Sequence, residues 1–409
     1  MLSRLIFSLF LLGYLVGTGI PVALAAGPSA EDYRVQPALP VFLNLGELPV
    51  FSLSGQDPPR VTADAAVLME ASTGQVLFAK NAHQLRPPAS TTKILTALLA
   101  IEGGRLNQVV TVSPRAAAVG ESSMHLFPGQ RLTLEQLLYG ALLRSGNDAC
   151  VAIAEHIAGS EGNFVFLMNE KARELGASHS HFCNPHGLPA PGHVSSAYDL
   201  ALLTRYALKN STFRALVSTR YRGFVNPPWG EYHLHNTNRL LWSYQGADGV
   251  KTGTTSEAGM CLVASASRGG RQLISVVLHS DDRYGDTMAL LDYGFTSFKN
   301  MTLVKEGQAF RSIPVTGGVV SAVPLVSERT LAVAVPVHRP PAVEKRFNAP
   351  AVLTAPLPKA LPVGTLDVWV EGEPVARARL LTGRSVQRLP AYRLWWKKVR
   401  AMPPGVNIS

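Results

Sequence analysis

Ser90 and Lys93 stand three positions apart in Pro88-Ala89-Ser90-Thr91-Thr92-Lys93, directly ahead of the apolar run Ile94-Leu95-Thr96-Ala97-Leu98-Leu99-Ala100-Ile101. On a helix that spacing puts both side chains on one face. A neutral lysine amine can take the proton of a serine hydroxyl and make it a nucleophile, if desolvation or a nearby cation lowers its pKa. A helix N-terminus adds unpaired N–H groups that favour developing negative charge. Two more polar groups stand further along: Ser145-Gly146-Asn147, in a predicted tight link between helices, and Lys251-Thr252-Gly253-Thr254, in a predicted strand. Taken singly, each is an ordinary pattern, such as a serine N-cap with an exposed lysine or a Ser/Gly/Asn turn.

The surrounding sequence supplies elements to hold these residues. Pro87 and Pro88 keep the approach extended, so a helix is expected to start just after them and to end at Gly103-Gly104. Its run is apolar on most sides, which suits burial within a domain. Residues 65–70 and 75–80 flank Ala71-Ser72-Thr73-Gly74 as a predicted β-hairpin. Thr133-Leu134-Glu135-Gln136 resembles a capping box opening a helix that ends at Arg144, and Asp148 is expected to start the next. Further helices are predicted over 163–175 and 196–208, around a loop at 182–193 that contains Asn184-Pro185-His186-Gly187-Leu188. Residues 247–254, 261–267 and 272–279 read as an antiparallel meander, which the hairpin is expected to join, and a helix over 286–298 closes the domain. Helices followed by strands make this α+β rather than a doubly wound parallel sheet. From about residue 304, Val, Pro, Thr and Ala dominate, with alternation at Leu331-Ala332-Val333-Ala334-Val335 and Leu366-Asp367-Val368-Trp369-Val370. Residues 303–385 are therefore expected to form a small all-β domain without a catalytic constellation.

Residues 1–25 read as a signal peptide: Arg4, an apolar core from Leu5 to Val16, and a small-x-small site at Ala23-Leu24-Ala25. An uncleaved anchor is the alternative, but the core is short for a spanning helix. Either way the protein is expected to be exported. Residues 26–60 read as a Pro/Gly/Ser-rich linker and 61–300 as the catalytic domain. The net charge of +10 fits anionic headgroups or cell-wall polymers as partners, and no basic patch interleaved with aromatics points to nucleic acid. Cys150, Cys183 and Cys261 are too few for a disulfide scaffold; the apolar neighbours of Cys150 and Cys261 favour buried thiols over a bridge. His233 and His235 share a strand face but lack a third ligand, so no metal is expected. In a tail at 389–409, a helix from 392 would put Tyr392, Trp395, Trp396, Val399 and Met402 on one face and Arg393, Lys397, Lys398 and Arg400 elsewhere. That pattern suits a helix lying on a membrane surface; packing against the chain's own β domain is the alternative.

Ser90-x-x-Lys93, Ser145-Gly146-Asn147 and Lys251-Thr252-Gly253 follow the motif order of penicillin-binding proteins and class A β-lactamases. Stretches around 88–102, 129–154, 182–201, 235–241 and 246–267 resemble the low-molecular-weight penicillin-binding proteins that act as serine D-alanyl-D-alanine carboxypeptidases. The resemblance runs from about 61 to 298, and the β domain and tail look like that family's C-terminal arrangement. It implies a penicillin-binding/β-lactamase-like transpeptidase fold, peptidoglycan stem peptides ending in D-Ala-D-Ala as substrate, β-lactams as inhibitors, no cofactor, and a place at the outer face of the cell membrane. It also implies roles: Ser90 as nucleophile, Lys93 as base, Ser145 as proton relay, Asn147 as the group orienting Lys93 and the substrate amide. Lys251, close to Ser145, would help keep Lys93 neutral by its charge. Thr252 and Thr254 would bind near the terminal carboxylate, Gly253 would allow close approach, and the N–H groups of Ser90 and Thr254 would form the oxyanion hole. Arg283 is a further candidate for the carboxylate or a plain surface arginine, and His186 and His235 are read as structural. A class A β-lactamase is disfavoured by the lack of a Glu-x-x-Leu-Asn stretch between Ser145 and Lys251 and by the extra β domain. A D,D-endopeptidase, or a non-catalytic wall-binding or β-lactam-sensing protein, are the rival readings.

Overall fold

In the computed structural model the described residues are 57–338, 341–390, 392 and 393. The predicted signal peptide, most of the linker and nearly all of the tail lie outside them. The predicted hairpin is present as β1 (Ala65–Glu70) and β2 (Val76–Lys80). A 3-10 turn, Ala89–Thr92, then leads into α1 (Lys93–Gly103). There follow β3 (Val109–Thr111), α2 (Pro114–Ala117), β4 (Arg131–Thr133), α3 (Leu134–Leu143), α4 (Asn147–Ala158) and α5 (Glu161–Glu174). The chain continues through α6 (Ala197–Ala207), α7 (Ser211–Ser218), β5 (Tyr221–Asn226), β6 (Gly230–His235) and α8 (Leu240–Ser243). The meander β7 (Ala247–Thr255), β8 (Gly259–Arg268) and β9 (Arg271–Ser280) precedes α9 (Arg283–Ser297).

The hairpin joins the meander in one antiparallel sheet of order β2-β1-β9-β8-β7, so the two sequence-distant edges of the domain pair at its centre, Val67 opposite Val276. Strand alternation then buries both faces. Val67, Met69, Val263 and Val276 pack with the apolar residues of α1, α3, α4, α5 and α6. Leu68, Leu262, Ala264 and Val277 pack on Leu290 and Leu291 of α9. α1 lies inside the helical layer, with every residue from Lys93 to Ala100 buried. The capping box at α3 is closed in both directions, Gln136 N–H to Thr133 Oγ1 at 3.2 Å and Thr133 N–H to Gln136 Oε1 at 2.8 Å. The architecture is the expected α+β.

Local differences have local causes. α9 begins at Arg283, ahead of the predicted start, because Asp282 caps it by accepting Gly285 N–H at 2.9 Å. The β3–β4 and β5–β6 pairs were not anticipated. Three-residue strands carry no readable period, and β5 has no fully buried residue to mark an inward face. The three cysteines are free, Cys150 and Cys261 buried. No described helix is long and apolar enough to cross a membrane.

β10 (Phe298–Val304) starts where α9 ends, and β11 (Ala309–Thr316), β12 (Ala322–Ser327), β13 (Leu331–Pro336), β14 (Val343–Asn348), β15 (Leu353–Thr354), β16 (Pro362–Val370) and β17 (Glu373–Thr382) follow. β10 pairs with β13, and the others form a six-stranded sheet of order β14-β16-β17-β12-β11-β15. This β unit is keyed to the hairpin of the first. Gln75 exchanges two hydrogen bonds with the Ala334 backbone, at 3.0 and 2.9 Å, and Asn300 Nδ2 donates to Glu70 Oε1 at 2.9 Å.

The start of the first domain is held by Asp286 on α9. Its buried carboxylate accepts from Thr62 N–H (2.9 Å), Thr62 Oγ1 (2.8 Å), Ala63 N–H (2.8 Å) and Ser280 Oγ (2.7 Å). Burial alone would raise its pKa, but the bonds from Ser280, Thr62 and Ala63 outweigh that and hold it below the usual carboxylate range. Its stabilisation is therefore present above the unfolded-state pKa and is lost as pH falls through the depressed folded value. Asp286→Ala should lower unfolding stability by about 3 kcal/mol, because several buried donors lose their acceptor. Urea unfolding at neutral pH measures this, and a loss well under about 1 kcal/mol would contradict it.

Candidate active site

The Ser90 turn is shaped by its own backbone. Pro88 O accepts Thr91 N–H at 3.2 Å and Thr91 Oγ1 at 2.6 Å. Ala89 sits at φ +47°, a region that non-glycine residues rarely occupy. Lys93 follows as the first residue of α1 and has 0% of its surface exposed. Its Nζ lies 2.9 Å from Ser90 Oγ, 2.8 Å from Asn147 Oδ1 and 2.6 Å from His186 O. The last two are pure acceptors and take two N–H groups. In the neutral amine the remaining direction is the lone pair, and it meets the Ser90 hydroxyl, which can donate to it. Burial lowers the Lys93 pKa to about 8, partly offset by Cys150, Asp148 and Glu121.

Each partner of Lys93 is itself secured. Asn147 Nδ2 donates to Gly120 O at 3.0 Å, which turns Oδ1 toward the lysine, and Asn147 N–H donates to Ser122 O at 2.7 Å. Beside it Asp148, fully buried, accepts from Ser123 Oγ (2.6 Å), Met124 N–H (3.0 Å) and Leu126 N–H (3.1 Å) and so pins the preceding loop. In the sequence Asp148 is only an acidic residue opening a helix, a common dipole complement. In the His186 loop, Asn184 Oδ1 accepts His186 N–H and Gly187 N–H at 3.2 and 2.7 Å, and Thr96 Oγ1 donates to Pro185 O at 2.6 Å. A Cβ on Gly187, at φ +92°, would fall 1.9 Å from Ala89 O, so the loop packs on the nucleophile turn only through glycine. His193 supports the same turn. Its Nδ1 accepts Cys183 N–H at 3.0 Å, which leaves the proton on Nε2 for Thr92 Oγ1 at 2.9 Å, and burial pushes its pKa down to about 4.

β7, at the sheet edge, runs against the Ser90 turn. A Cβ on Gly253 would lie 3.0 Å from Ser90 N, 3.1 Å from Ala89 Cβ and 3.2 Å from Pro88 O. Thr252 Oγ1 pairs with Thr237 Oγ1 at 2.8 Å. Thr254 Oγ1 donates to Gly253 O at 2.7 Å and accepts from Arg283 Nη1 at 2.8 Å, which also donates to Gly253 O at 2.9 Å. Arg283, left unassigned by the sequence, thus belongs to the strand that carries Thr252–Thr254.

Lys251 is 1% exposed and its Nζ donates to Thr252 O at 2.9 Å. Ser145, at φ +63°, has a buried Oγ without a hydrogen-bond partner among the described residues. Burial is the first cause of the low Lys93 pKa. Lys251 is itself pushed well below the ordinary range, by burial and then by Lys93. Asp148 and Glu121 favour charge on Lys93, whereas Arg283 opposes it on Lys251.

Among the described residues no group of three or more His, Cys, Asp and Glu is placed to hold a metal ion. His233 and Tyr221 OH are 2.7 Å apart on the exposed side of the β5–β6 hairpin, and His235 packs against the Tyr221 ring. A serine beside a buried amine, facing an edge strand, is an arrangement for acyl transfer.

Residues 53–282 match the family described as D-alanyl-D-alanine carboxypeptidase, and residues 298–388 match the penicillin-binding protein 5 C-terminal domain. The chain is 37% identical over 326 residues to D-alanyl-D-alanine carboxypeptidase DacF of Bacillus subtilis strain 168, covering 77% of this chain and 84% of that one. It is 36% identical over 347 residues to D-alanyl-D-alanine carboxypeptidase DacC of Escherichia coli strain K12, covering 81% and 86%. Its structure is similar to crystal structures of penicillin-binding protein 5 from Haemophilus influenzae, with a TM-score of 0.72 at 31% identity, covering 82% of this chain and 100% of that one.

The contact at Gly253 gives a direct test of the geometry. Gly253→Ala should push β7 off the Ser90 turn and slow labelling of the protein by a fluorescent penicillin by roughly a hundredfold, as a displacement of about 1 Å can. Labelling at the unsubstituted rate, in a protein whose circular dichroism is unchanged, would show that the close approach is not needed.

Proposed function

The chain belongs to the D-alanyl-D-alanine carboxypeptidase family, and on that premise we propose how its residues remove the terminal D-alanine of a peptidoglycan stem pentapeptide. Lys93 takes the Ser90 proton, and Ser90 Oγ attacks the carbonyl carbon of the penultimate D-alanine. The N–H groups of Ser90 and Thr254 receive the developing oxyanion. Ser145 relays the proton from Lys93 to the leaving D-alanine nitrogen, the C–N bond breaks, and the peptide remains as an ester on Ser90. A water deprotonated by Lys93 then hydrolyses that ester. Asn147 orients Lys93 and the substrate amide. β-Lactams acylate Ser90 by the same steps.

The terminal carboxylate is read as lying beside Thr252, Thr254 and Arg283. Its negative charge there favours a protonated Lys251, and repulsion between the two amines then keeps Lys93 neutral. The observation that carries the mechanism is the set of three contacts around Lys93 Nζ, two from acceptors and one from Ser90 Oγ.

Purified protein with a stem pentapeptide should release D-alanine, and intact mass after penicillin treatment should show one adduct that is absent in Ser90→Ala. An adduct surviving that substitution would refute the nucleophile assignment; cleavage of cross-linked peptides without D-alanine release would favour the endopeptidase reading. The base must be neutral, so acylation should rise with pH, level off above about 8, and fall about tenfold per unit below it. Lys93→Arg, which cannot give up its proton, should abolish acylation at every pH. A flat profile from pH 6 to 9, or a working Lys93→Arg protein, would exclude the role.

We further propose export by residues 1–25 and attachment to the outer face of the cell membrane through residues 389–409. Support comes from the spacing of Tyr392, Trp395, Trp396, Val399 and Met402 and from the intervening basic residues. The protein should bind anionic vesicles, less so at high salt, and deletion of 389–409 should remove binding while leaving D-alanine release intact. Vesicle binding that survives the deletion would disprove the anchor.

A further inference from the structure

Asn147 Oδ1 and His186 O, the two acceptors that set the direction of the Lys93 lone pair, are carried by separate stretches of chain. The Asn147 amide is oriented by Gly120 O, shortly after α2, and His186 lies in the loop ahead of α6. One side chain reaches both stretches. Glu161, the first residue of α5, places Oε2 3.0 Å from Arg115 Nη2 on α2 and Oε1 3.6 Å from His186 Nε2. His186 Nδ1 accepts Leu188 N–H at 3.2 Å, so the ring proton sits on Nε2, the atom facing Glu161. Burial lowers the His186 pKa, which makes this a neutral N–H directed at a carboxylate. Glu161 in turn is held below the usual carboxylate range, first by His186.

We propose that Glu161 is a positioning residue for acylation: by joining α2 to His186 it fixes the two oxygens that aim the Lys93 lone pair at Ser90 Oγ. This rests on the reading of Lys93 as the base. Glu161 touches no reacting atom and acts only through His186 and Arg115. The competing explanation is an ordinary acidic residue in the first turn of a helix, which would leave the chemistry unaffected.

The test uses the full chain with Glu161→Ala and Glu161→Gln, following penicillin acylation against pH together with thermal melting. The titratable and charged groups around Glu161 are Arg115 and His186; those around Lys93 are Asp148, Glu121, Cys150, Lys251, His186 and His193. Glu161→Ala should slow plateau acylation roughly tenfold through a misaimed base. It should also move the pH limb downward, because the fixed acceptors that favour the Lys93 ammonium are weakened. Glu161→Gln keeps an oxygen for His186 Nε2–H and should recover the plateau to within about twofold. In a His186→Ala background, Glu161→Ala should add nothing further.

An unaltered plateau and limb in Glu161→Ala would overturn the proposal, as would an equal loss with and without His186. Should Glu161→Ala fail to fold, Arg115→Ala cuts the same link at its exposed end and is read by the same plateau and limb. Lys93→Arg separates the two readings. Acylation surviving in Lys93→Arg removes the base and this inference together. Its loss there, with Glu161→Ala normal, removes the inference alone.

Discussion

A lysine amine sealed inside the helical layer is the constraint on which the catalytic domain depends. Removing an ammonium from water costs several kcal/mol even after relaxation, so Lys93 stays buried only if its neutral form is accessible and its N–H groups are satisfied. The fold meets both conditions with three elements: the Ser90 turn, the start of α4 and the His186 loop. None could be moved independently. Asp148 pins the loop that orients Asn147, Asn184 and Thr96 pin the loop that carries His186 O, and His193 braces the turn between Ser90 and Lys93. The buried polar residues of this region thus form one connected system around an amine, and partial satisfaction of such a system is worse than none.

The sheet contributes distance rather than chemistry. Because β1 and β9 pair at its centre and both faces are covered, β7 is held rigidly at the edge against the Ser90 turn. An edge strand has backbone groups free for an extended peptide, and Gly253 lets that edge pack closely on the backbone of the Ser90 turn. Arg283, the first residue of α9, ties Gly253 O and Thr254 Oγ1 to the strand behind them. The position of the edge is therefore set by the meander and α9, not by the site residues alone.

How much of this was legible in the chain depended on the range of each interaction. The nucleophile turn, the capping box at Thr133, the hairpin and the meander are local patterns, and the structure forms them where the spacing placed them. Arg283 was not assignable, since only the register of β7, β8 and β9 brings it back to Gly253. The electrostatics of Lys93 and Lys251 lie outside any motif for a related reason: burial acts first on both amines, then Asp148 and Glu121 on Lys93 and Arg283 on Lys251. The β5–β6 hairpin escaped notice because so few of its residues face inward.

Two of the strained positions adjoin the two serines. Ala89 at φ +47° directs Ser90, and Ser145 at φ +63° carries its own buried hydroxyl, which has no hydrogen-bond partner among the described residues. Left-handed backbone at non-glycine residues costs of order 1–3 kcal/mol and persists only where the surroundings enforce it. Here the enforcing contacts are visible: Pro88 O on Thr91, Gly187 against Ala89, and Gly146 N–H on Gly140 O at 3.0 Å. These contacts fix where the Cβ of each serine points, so the direction in which both hydroxyls leave the chain is set by the backbone before any ligand arrives.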